Sequence, residues 1–296
     1  MKPVAFEYCR PDTLAEALDL LAETREEAAV LAGGMSLGPM LNLRMVRPAR
    51  VIDISRLAGL DDIDVTRDRV VTGATVIQAD ALEASAIRRE LPLLALALPW
   101  VGHFQTRNSG TLGGSVAHAD PSAEIPLCTV TSDATIVLRS RRRERRVRAG
   151  EFFLGALTTA RRPDELLVAI DWPRASPDDG HAFEEVAQRH GDFAIAAAAC
   201  EVVLDSDGRI GRLALGLGGV ADRPIAVDTQ EAVGAMADGG TAGTLARRAA
   251  AGLDPMEDHV ASAEYRRALA RVLIERVVLR AVEDARRKAG IKPGAA

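Results

Sequence analysis

The amino-acid sequence predicts an α+β protein with more than one domain. Its 296 residues exceed the length that one hydrophobic core usually organises, which favours two or three domains. Short apolar segments bounded by glycine, proline and polar residues, as is typical of strands, alternate with segments of helical periodicity. Hydrophobic residues make up 48% of the chain and charged residues 27%, as in ordinary globular proteins. We therefore expect three consecutive regions, at residues 1–56, 57–176 and 177–296.

The first region is predicted to be a small unit of strands and helix. A strand over Ala5–Tyr8 precedes a helix that opens with the capping box Thr13–Glu16. In such a box the hydroxyl and the carboxylate each satisfy a free backbone donor at the helix start. Two further strands are expected at Ala28–Leu31 and Arg50–Ile54, and the first of them leads directly into Gly33-Gly34.

The second region mixes strands, helix and loop. The segment Ala79–Leu98 has helical character, whereas Gln105–Ser115 is rich in glycine, serine, asparagine and threonine and is predicted to be a loop. Arg139–Arg148 contains seven arginines, and the pattern favours a solvated hairpin or a subunit contact there. Strands are predicted at Arg69–Gly73, Ala134–Leu138 and Leu166–Trp172.

The third region follows the linker Arg174–Gly180, whose proline, serine and aspartate residues are typical of an interdomain connection. We expect sheet first and helices last. The predicted strands are Phe183–Val186, Ala194–Leu204 and Arg212–Gly216, and the predicted helices are Thr241–Ala251 and Ser262–Lys288.

Composition excludes several classes of function. A net charge of −5 and an aromatic content of 3% do not suit nucleic-acid binding, so no nucleic-acid partner is expected. The N-terminus lacks the apolar core of a signal peptide, and the apolar runs are too short to cross a bilayer, which predicts a cytoplasmic protein without a transmembrane segment. Cys9, Cys128 and Cys200 are widely spaced, which argues against disulfides, a zinc site or an iron–sulfur cluster held by this chain alone. Redox chemistry would therefore need an organic cofactor.

Two double-glycine loops are the strongest functional signal. The first is Leu31-Ala32-Gly33-Gly34-Met35-Ser36-Leu37-Gly38 and the second is Gly110-Thr111-Leu112-Gly113-Gly114-Ser115. Glycine permits the positive φ angles and the close backbone approach that a phosphate-binding nest requires. Hydroxyl groups flank both loops. Together the loops are expected to hold one diphosphate from two sides.

Two other candidate motifs give weaker evidence for a function. The G-x-G-x-x-G/A match Gly216–Ala221 is followed by Asp222-Arg223-Pro224, which does not open a helix, so a strand end and turn are predicted. His118 and Asp120 lie near Glu124 in sequence, but the spacing fits no strong metal motif, and loop hydrogen bonding is the expected role. No metal site and no catalytic residue are predicted in this chain.

The loop pair resembles the flavin-binding motifs of the medium subunit of aerobic carbon monoxide dehydrogenase and of the FAD domain of xanthine dehydrogenase. The resemblance continues through Gln105–Asn108, Ala117–Pro121, Gly191–Ala194 and Ala263–Arg266, and so spans nearly the whole chain. It implies a two-subdomain FAD-binding region of the PCMH or vanillyl-alcohol-oxidase-like type, followed by an α+β C-terminal domain of the carbon monoxide dehydrogenase flavoprotein type.

The resemblance also implies site residues. Val101 corresponds to a residue lining the flavin pocket, Glu124 to an acidic contact with ribityl or ribose hydroxyls, and Leu167 to a backbone contact. Phe193, after Asp192, stands where the carbon monoxide enzymes place a tyrosine against the isoalloxazine ring; the alternative is an ordinary core residue. The full expected set is Leu31, Ala32, Gly33, Gly34, Met35, Ser36, Leu37, Gly38, Val101, Thr111, Leu112, Gly113, Gly114, Ser115, Glu124, Leu167, Asp192 and Phe193.

The function implied by the resemblance is electron transfer within a heterotrimeric molybdenum hydroxylase. The partners would be a molybdopterin-binding large subunit and a small subunit with [2Fe-2S] clusters, which passes electrons to FAD on this chain. NAD, a quinone or oxygen would be the external acceptor. Two alternatives stay open at this point: a stand-alone flavin oxidase of the vanillyl-alcohol-oxidase type, and a non-catalytic assembly protein that keeps the fold without flavin.

Overall fold

The computed structural model describes residues 2–290, and its three larger sheets follow one another along the chain. The first sheet lies within the first sixty residues and is parallel, whereas the second and third are antiparallel. The predicted α+β class is confirmed. Residues 54–62 separate the first sheet from the second, and residues 174–179 separate the second from the third.

The first region contains a three-stranded parallel sheet in the order β1-β3-β2. Thr13 accepts a hydrogen bond from the Glu16 backbone, and the Glu16 carboxylate accepts from the Thr13 backbone, so the predicted capping box is confirmed. The elements are β1 (Glu7–Cys9), α1 (Leu14–Thr24), β2 (Ala28–Leu31), α2 (Leu37–Asn42) and β3 (Arg50–Asp53).

The second region is built on a five-stranded antiparallel sheet in the order β4-β5-β10-β6-β7. Its strands are β4 (Ile63–Val65), β5 (Arg69–Gly73), β6 (Thr135–Arg139), β7 (Glu144–Arg148) and β10 (Leu166–Pro173), with a separate pair formed by β8 (Phe153–Gly155) and β9 (Thr158–Thr159). Its helices are α3 (Gln78–Glu83), α4 (Ser85–Glu90), α5 (Pro92–Ala97), α6 (Phe104–Arg107), α7 (Leu112–His118), α8 (Glu124–Thr131) and α9 (Ala149–Phe152).

The prediction that Gln105–Ser115 forms a loop is wrong for most of this segment. Helices α6 and α7 occupy it, and only residues 108–111 connect them. Thr111 caps α7 by accepting a hydrogen bond from the Gly114 backbone, and this cap together with burial of Leu112 offsets the poor helix propensity of the glycines.

The helical segment expected at Ala79–Leu98 is divided into α3, α4 and α5. Ala84 is extended, with φ −65° and ψ 120°, which ends the first of these helices. Leu91 leaves the helical region because it precedes Pro92, whose ring disfavours the α conformation of the residue before it.

The arginine-rich segment forms the β6–β7 hairpin, as predicted. Several of its arginines are already paired within this chain. Arg145 contacts Glu165 at 2.7 Å, Arg148 contacts Asp133 at 2.7 Å, Arg141 contacts Asp19 at 3.0 Å, and Arg146 pairs with Asp171.

The third region is an antiparallel four-stranded meander covered on one face by the longest helix. Its elements are β11 (Gly180–Val186), β12 (Ala196–Leu204), β13 (Ile210–Gly218), β14 (Ile225–Ala226), α10 (Gly239–Ala251) and α11 (Ala263–Lys288). Leu273, Ile274 and Val277 of α11 pack on this sheet with Ala198 and Val202. The opposite face, through Phe183 and Ala197, belongs to the core of the second region.

The packing of the regions brings distant segments together. Leu18, Leu21 and Ile52 of the first region share a cluster with Leu166 and Val168 of β10. This packing brings three segments next to one another: the end of β2, the start of α7 and the loop between β11 and β12. Within residues 2–290 no helix has the length and apolarity needed to cross a membrane.

Candidate functional site

A cavity of about 580 Å³ lies where the three regions meet. This volume is within the range of about 300–1,000 Å³ typical of ligand and cofactor sites. Its wall contains both double-glycine loops, the Val101–Gly102 turn, the start of α8, part of β10 and the loop after β11. The segments expected to bind a cofactor therefore converge on one space.

The first glycine loop supplies unused backbone donors. It leaves the parallel sheet after β2 and runs through Gly33 and Gly34 to Ser36, the residue before α2. The backbone N–H groups of Gly33, Gly34, Met35 and Ser36 make no hydrogen bond within residues 2–290. Gly34 has φ +72°, a conformation that glycine adopts without strain. This loop has the free N–H groups and the hydroxyl of an anion-binding nest.

Gly33 holds the two loops against each other. A Cβ placed on Gly33 would lie 1.9 Å from the carbonyl oxygen of Ser109 and 2.9 Å from Cα of Gly110. Both contacts are with backbone, which cannot rotate away as a side chain can. Glycine at this position is therefore required for the close approach of the first loop to the second.

The second glycine loop differs from the first in how its donors are used. Gly113 donates its N–H to the Ala74 carbonyl at 3.1 Å, and Gly114 donates to Oγ1 of Thr111 at 3.0 Å. The sequence predicted that the two loops together hold one diphosphate, and the structure shows that they offer different numbers of free backbone N–H groups. Because α7 starts here, its first amides are satisfied by a cap and by the neighbouring backbone. The second loop contributes a wall without side chains at Gly114, together with the Ser115 hydroxyl.

Two polar side chains hold backbone segments of the cavity wall, Arg107 at the Val101–Gly102 turn and Gln78 at the second loop. Nη1 of Arg107 donates to the carbonyls of Val101 and Gly102, both at 2.9 Å, and so fixes the turn that lines the cavity. Nε2 of Gln78 donates to the Thr111 carbonyl at 3.3 Å, while its Oε1 has no partner within residues 2–290.

Glu124 lies in the wall at the first position of α8 and is 7% exposed. Burial raises the pKa of Glu124 to about 7, its own backbone N–H and Arg107 oppose the rise, and the charge of Asp120 adds to it. A carboxyl in this state can accept hydrogen bonds from ligand hydroxyls when ionised and can donate one when protonated.

Arg161 and Glu165 line the cavity and were not predicted from the sequence. Nη1 of Arg161 donates to the Glu165 carbonyl at 2.8 Å, and burial lowers the pKa of this guanidinium against the opposing charge of Glu165. The Glu165 carboxylate is bound to Arg145 instead. Arg161 thus places a positive charge beside the cavity, and no spacing in the sequence marks it.

Most of the expected site residues line the cavity. Those that do are Ala32, Gly33, Gly34, Met35, Ser36, Leu37, Val101, Thr111, Gly113, Gly114, Ser115, Glu124, Leu167, Asp192 and Phe193. Leu31, Gly38 and Leu112 are not in its wall. Leu112 is 0% exposed in the central core and its N–H bonds to the Val76 carbonyl, while Gly38 lies inside α2.

Phe193 stands on the loop between β11 and β12 and is 66% exposed. The alternative that it is an ordinary core residue is therefore wrong. Gly191 has φ +88°, and a Cβ there would lie 2.7 Å from Nδ1 of His103, so glycine is required at this turn. His190 packs edge-on against Trp100 with ring centroids 5.2 Å apart, which anchors the loop beside the cavity.

We expect Phe193→Ala to change the environment of a bound flavin without unfolding the protein. Aromatic contact contributes about 0.5–1.5 kcal/mol, so bound cofactor should be held less tightly by that amount and its visible spectrum should shift. Phe104→Ala is the matched control, because Phe104 is 63% exposed and does not line the cavity. Both variants should melt within a few degrees of the wild type. An unshifted flavin spectrum in Phe193→Ala would contradict contact with the ring.

The donors around the cavity suit a cofactor that contains a diphosphate. Phosphate oxygens can accept hydrogen bonds from three kinds of donor here: the free N–H groups of the first loop, the hydroxyls of Ser36 and Ser115, and the Arg161 guanidinium. The two hydroxyls have no partner within residues 2–290. Glu124 matches sugar or ribityl hydroxyls, and Phe193 offers a face to a planar ring. These features define a dinucleotide-binding protein of the flavin type.

Comparison with known proteins agrees with this class. The family described as the FAD binding domain in molybdopterin dehydrogenase matches residues 4–175, and the CO dehydrogenase flavoprotein C-terminal domain matches residues 181–281. This chain belongs to that family of FAD-binding subunits of molybdenum-dependent dehydrogenases, which are oxidoreductases.

Individual relatives match along nearly their whole length. The alpha subunit of the 6-hydroxypseudooxynicotine dehydrogenase complex of Paenarthrobacter nicotinovorans is 37% identical over 97% of this chain and 97% of its own. Caffeine dehydrogenase subunit beta of Pseudomonas sp. strain CBB1 is 37% identical over 96% of this chain and 97% of its own. The structure of carbon monoxide dehydrogenase from Hydrogenophaga pseudoflava superposes with a TM-score of 0.93 at 32% identity, covering 96% of this chain and 99% of that one.

The G-x-G-x-x-G/A match has a structural role. Gly216-Leu217-Gly218 ends β13, and Gly219 follows in a turn with φ +72°, which confirms the predicted strand end and turn. His118 and Asp120 line the cavity. Within residues 2–290 no three His, Cys, Asp or Glu side chains are grouped as metal ligands would be.

Proposed function

We propose that this chain binds FAD in the cavity through the residues described above and carries electrons between two partners. The electron donor is a [2Fe-2S] subunit, and a molybdopterin-binding large subunit completes the complex and holds the organic substrate. The acceptor is external, with NAD, a quinone and oxygen as the candidate classes. The observation that carries this proposal is the convergence of both glycine loops on one cavity with four unused N–H groups in the first.

The residues of the chain have distinct tasks in this proposal. Gly33 to Ser36 would hold the diphosphate from one side, with Ser115 and Arg161 opposite, and Glu124 would accept hydrogen bonds from hydroxyls of the linker or the sugar. Phe193 would cover one face of the planar ring. FAD, when bound, supplies the capacity to receive electrons one at a time and to release them in pairs. The protein itself positions the ring and tunes the polarity around it.

The two alternatives receive less support. A stand-alone flavin oxidase needs residues that act as acid or base on an organic substrate, and the relatives that match this chain from end to end are named as subunits of larger enzymes. A non-catalytic assembly protein would have no need of unused N–H groups and unpaired hydroxyls around a cavity of cofactor size.

Native purification through an affinity tag on this chain tests the proposed partnership. We expect two further chains to be retained in equal amounts, one containing iron and labile sulfide and the other containing molybdenum, as identified by mass spectrometry and metal analysis. A chain that purifies alone and oxidises an organic substrate without partners would contradict the proposal.

A further inference from the structure

Phe193 stands on a loop whose backbone decides where the aromatic ring lies. The loop covers residues 187–195, between β11 and β12, and we call it the Phe193 loop. At its base, the Ile195 N–H donates to the Val186 carbonyl at 2.7 Å. The Phe193 side chain is 66% exposed, so burial in this chain does not hold the ring in place. Its position must therefore come from the backbone on either side of it.

The part of the loop before Phe193 is held against the second region. His190 packs edge-on against Trp100, with ring centroids 5.2 Å apart. Gly191 approaches His103 so closely that a Cβ there would lie 2.7 Å from Nδ1 of the imidazole. These contacts fix the loop as far as Gly191, and the segment after Phe193 is held from another direction.

The segment after Phe193 is held by Arg266 from the first turns of α11. Nη1 of Arg266 donates to the Ile195 carbonyl at 2.6 Å and to the Gly219 carbonyl at 2.9 Å. Nη2 contacts the Asp258 carboxylate at 2.7 Å, and this pairing balances the charge of the guanidinium. Arg266 is 7% exposed, so its hydrogen bonds are shielded from water. Bonds from a charged donor are also roughly twice as strong as those between neutral groups.

Gly219 connects this junction to the cavity wall. It has φ +72°, and a Cβ there would lie 2.8 Å from the Ile195 carbonyl oxygen, so the two backbone segments touch. The Gly219 N–H donates to the Pro121 carbonyl at 2.9 Å. Pro121 lies in the segment that leads to Glu124, which lines the cavity. Arg266 thus joins the Phe193 loop to the part of the wall that contains Glu124.

Packing of α11 alone does not call for an arginine at this position. Leu273 and Val277, which pack on the third sheet, show that apolar side chains fill that role on the same helix. A buried guanidinium is costly unless its donors are satisfied, and Nε of Arg266 has no hydrogen-bond partner within residues 2–290. The chain bears this cost at the point where the guanidinium reaches two backbone carbonyls beside the Phe193 loop.

We propose that Arg266 is a positioning residue that sets where the Phe193 ring stands relative to the bound cofactor. Arg266 fixes the backbone shortly after Phe193, and His190 fixes it shortly before. Arg266 does not line the cavity, so it acts through Phe193 and not on the cofactor directly. That the cofactor is FAD, and that Phe193 contacts its planar ring, rests on the proposed function.

The first test is backbone hydrogen exchange in Arg266→Met, measured by mass spectrometry on the purified complex. Methionine fills the space of the side-chain stem but has no donors, and Asp258, whose side chain is 45% exposed, stays solvated. Because two backbone carbonyls lose a charged donor, exchange within residues 187–195 should accelerate by about tenfold or more. Arg267→Met is the matched control, since Arg267 donates to the Leu253 carbonyl at 3.2 Å instead and should leave this exchange unchanged.

The second test is the visible spectrum of the bound flavin. Arg266→Met should shift it in the same direction as Phe193→Ala, while FAD content per chain stays near that of the wild type because both glycine loops are intact. The double variant should show the shift of Phe193→Ala alone, since the effect of Arg266 passes through that ring. Arg266→Lys should recover part of the wild-type spectrum, because one ammonium near the position of Nη1 has donors for both carbonyls.

Failure of this inference can be distinguished from failure of the proposed function. Unchanged exchange in Arg266→Met, or a further spectral shift of full size when it is combined with Phe193→Ala, would overturn the positioning role even with FAD bound. A complex without flavin would contradict the proposed function, and hydrogen exchange would still decide whether Arg266 holds the loop. If Arg266→Met does not fold, Arg266→Gln takes its place, because its shorter side chain cannot reach both carbonyls and should accelerate exchange in the same way.

Discussion

Gly114→Val is expected to abolish FAD retention while leaving the protein folded. Gly114 lies in the first turn of α7 and in the cavity wall, and its Cβ would have one near neighbour, Oγ1 of Thr111 at 2.7 Å. The valine branches would therefore displace the helix cap and occupy the space where a phosphate approaches the backbone. A phosphate pushed away from this wall would lose its hydrogen bonds to the Ser115 hydroxyl and to an N–H group of the first loop. At about 1.5–3 kcal/mol each, the loss of both weakens binding by roughly a hundredfold or more.

Gly150→Val is the matched control for this variant. Gly150 is also helical, lies in α9 outside the cavity, and a Cβ there would meet nothing within 4 Å. The flavin absorbance per protein of both purified variants should be measured beside circular dichroism. Wild-type FAD content in a folded Gly114→Val chain would remove the second loop from the site.

Gly33→Ala is expected to damage both stability and cofactor binding. The added Cβ would lie 1.9 Å from the Ser109 carbonyl oxygen, so the two loops must move apart. Overpacking of this kind costs about 1–3 kcal/mol, which corresponds to a fall in Tm of roughly 2–10 °C. Because the first loop would move away from the second, the cavity wall would change shape and FAD affinity should fall as well.

Thermal melting in the presence and absence of added FAD separates these two effects. The wild type should gain stability from the cofactor by mass action, whereas Gly33→Ala should gain little. Gly150→Ala, in open space, should behave as the wild type in both conditions. A Gly33→Ala chain that melts and binds FAD like the wild type would show that the contact between the loops is not needed.

The sequence predicted elements whose signals are local. Helix α1 was placed correctly because Thr13 and Glu16 form both halves of a capping box. Helix α7 was missed because its cap is only half of that signal: Thr111 supplies the hydroxyl, but the third helical residue is Gly114 rather than an acidic residue. Its stability comes from Leu112 and Val116 in the core, which depends on tertiary packing.

The residues of the site also differ in whether the sequence could predict them. The glycine loops were visible in the sequence because few other residues could follow those backbone paths. Arg161 was not visible, because only the fold carries the segment between β9 and β10 to the cavity.

The distinct uses of the glycines also required the structure. A sequence pattern of Gly-Gly does not say whether a missing Cβ makes room for a ligand or for another backbone. Gly33 and Gly113 approach neighbouring backbone, at Ser109 and Ala74, whereas Gly114 has open space beyond its own helix cap. A side chain at Gly114 is therefore expected to affect the cofactor by occupying its space, whereas one at Gly33 or Gly113 would first push backbone segments apart.

The identity and amount of the cofactor released by heat from the natively purified complex test the central claim most directly. Chromatography against FAD and FMN standards should show FAD alone, at one molecule per copy of this chain, because the free donors of the cavity match a diphosphate. FMN as the only flavin, or a folded chain in the complex without flavin, would contradict the claim that this cavity holds FAD.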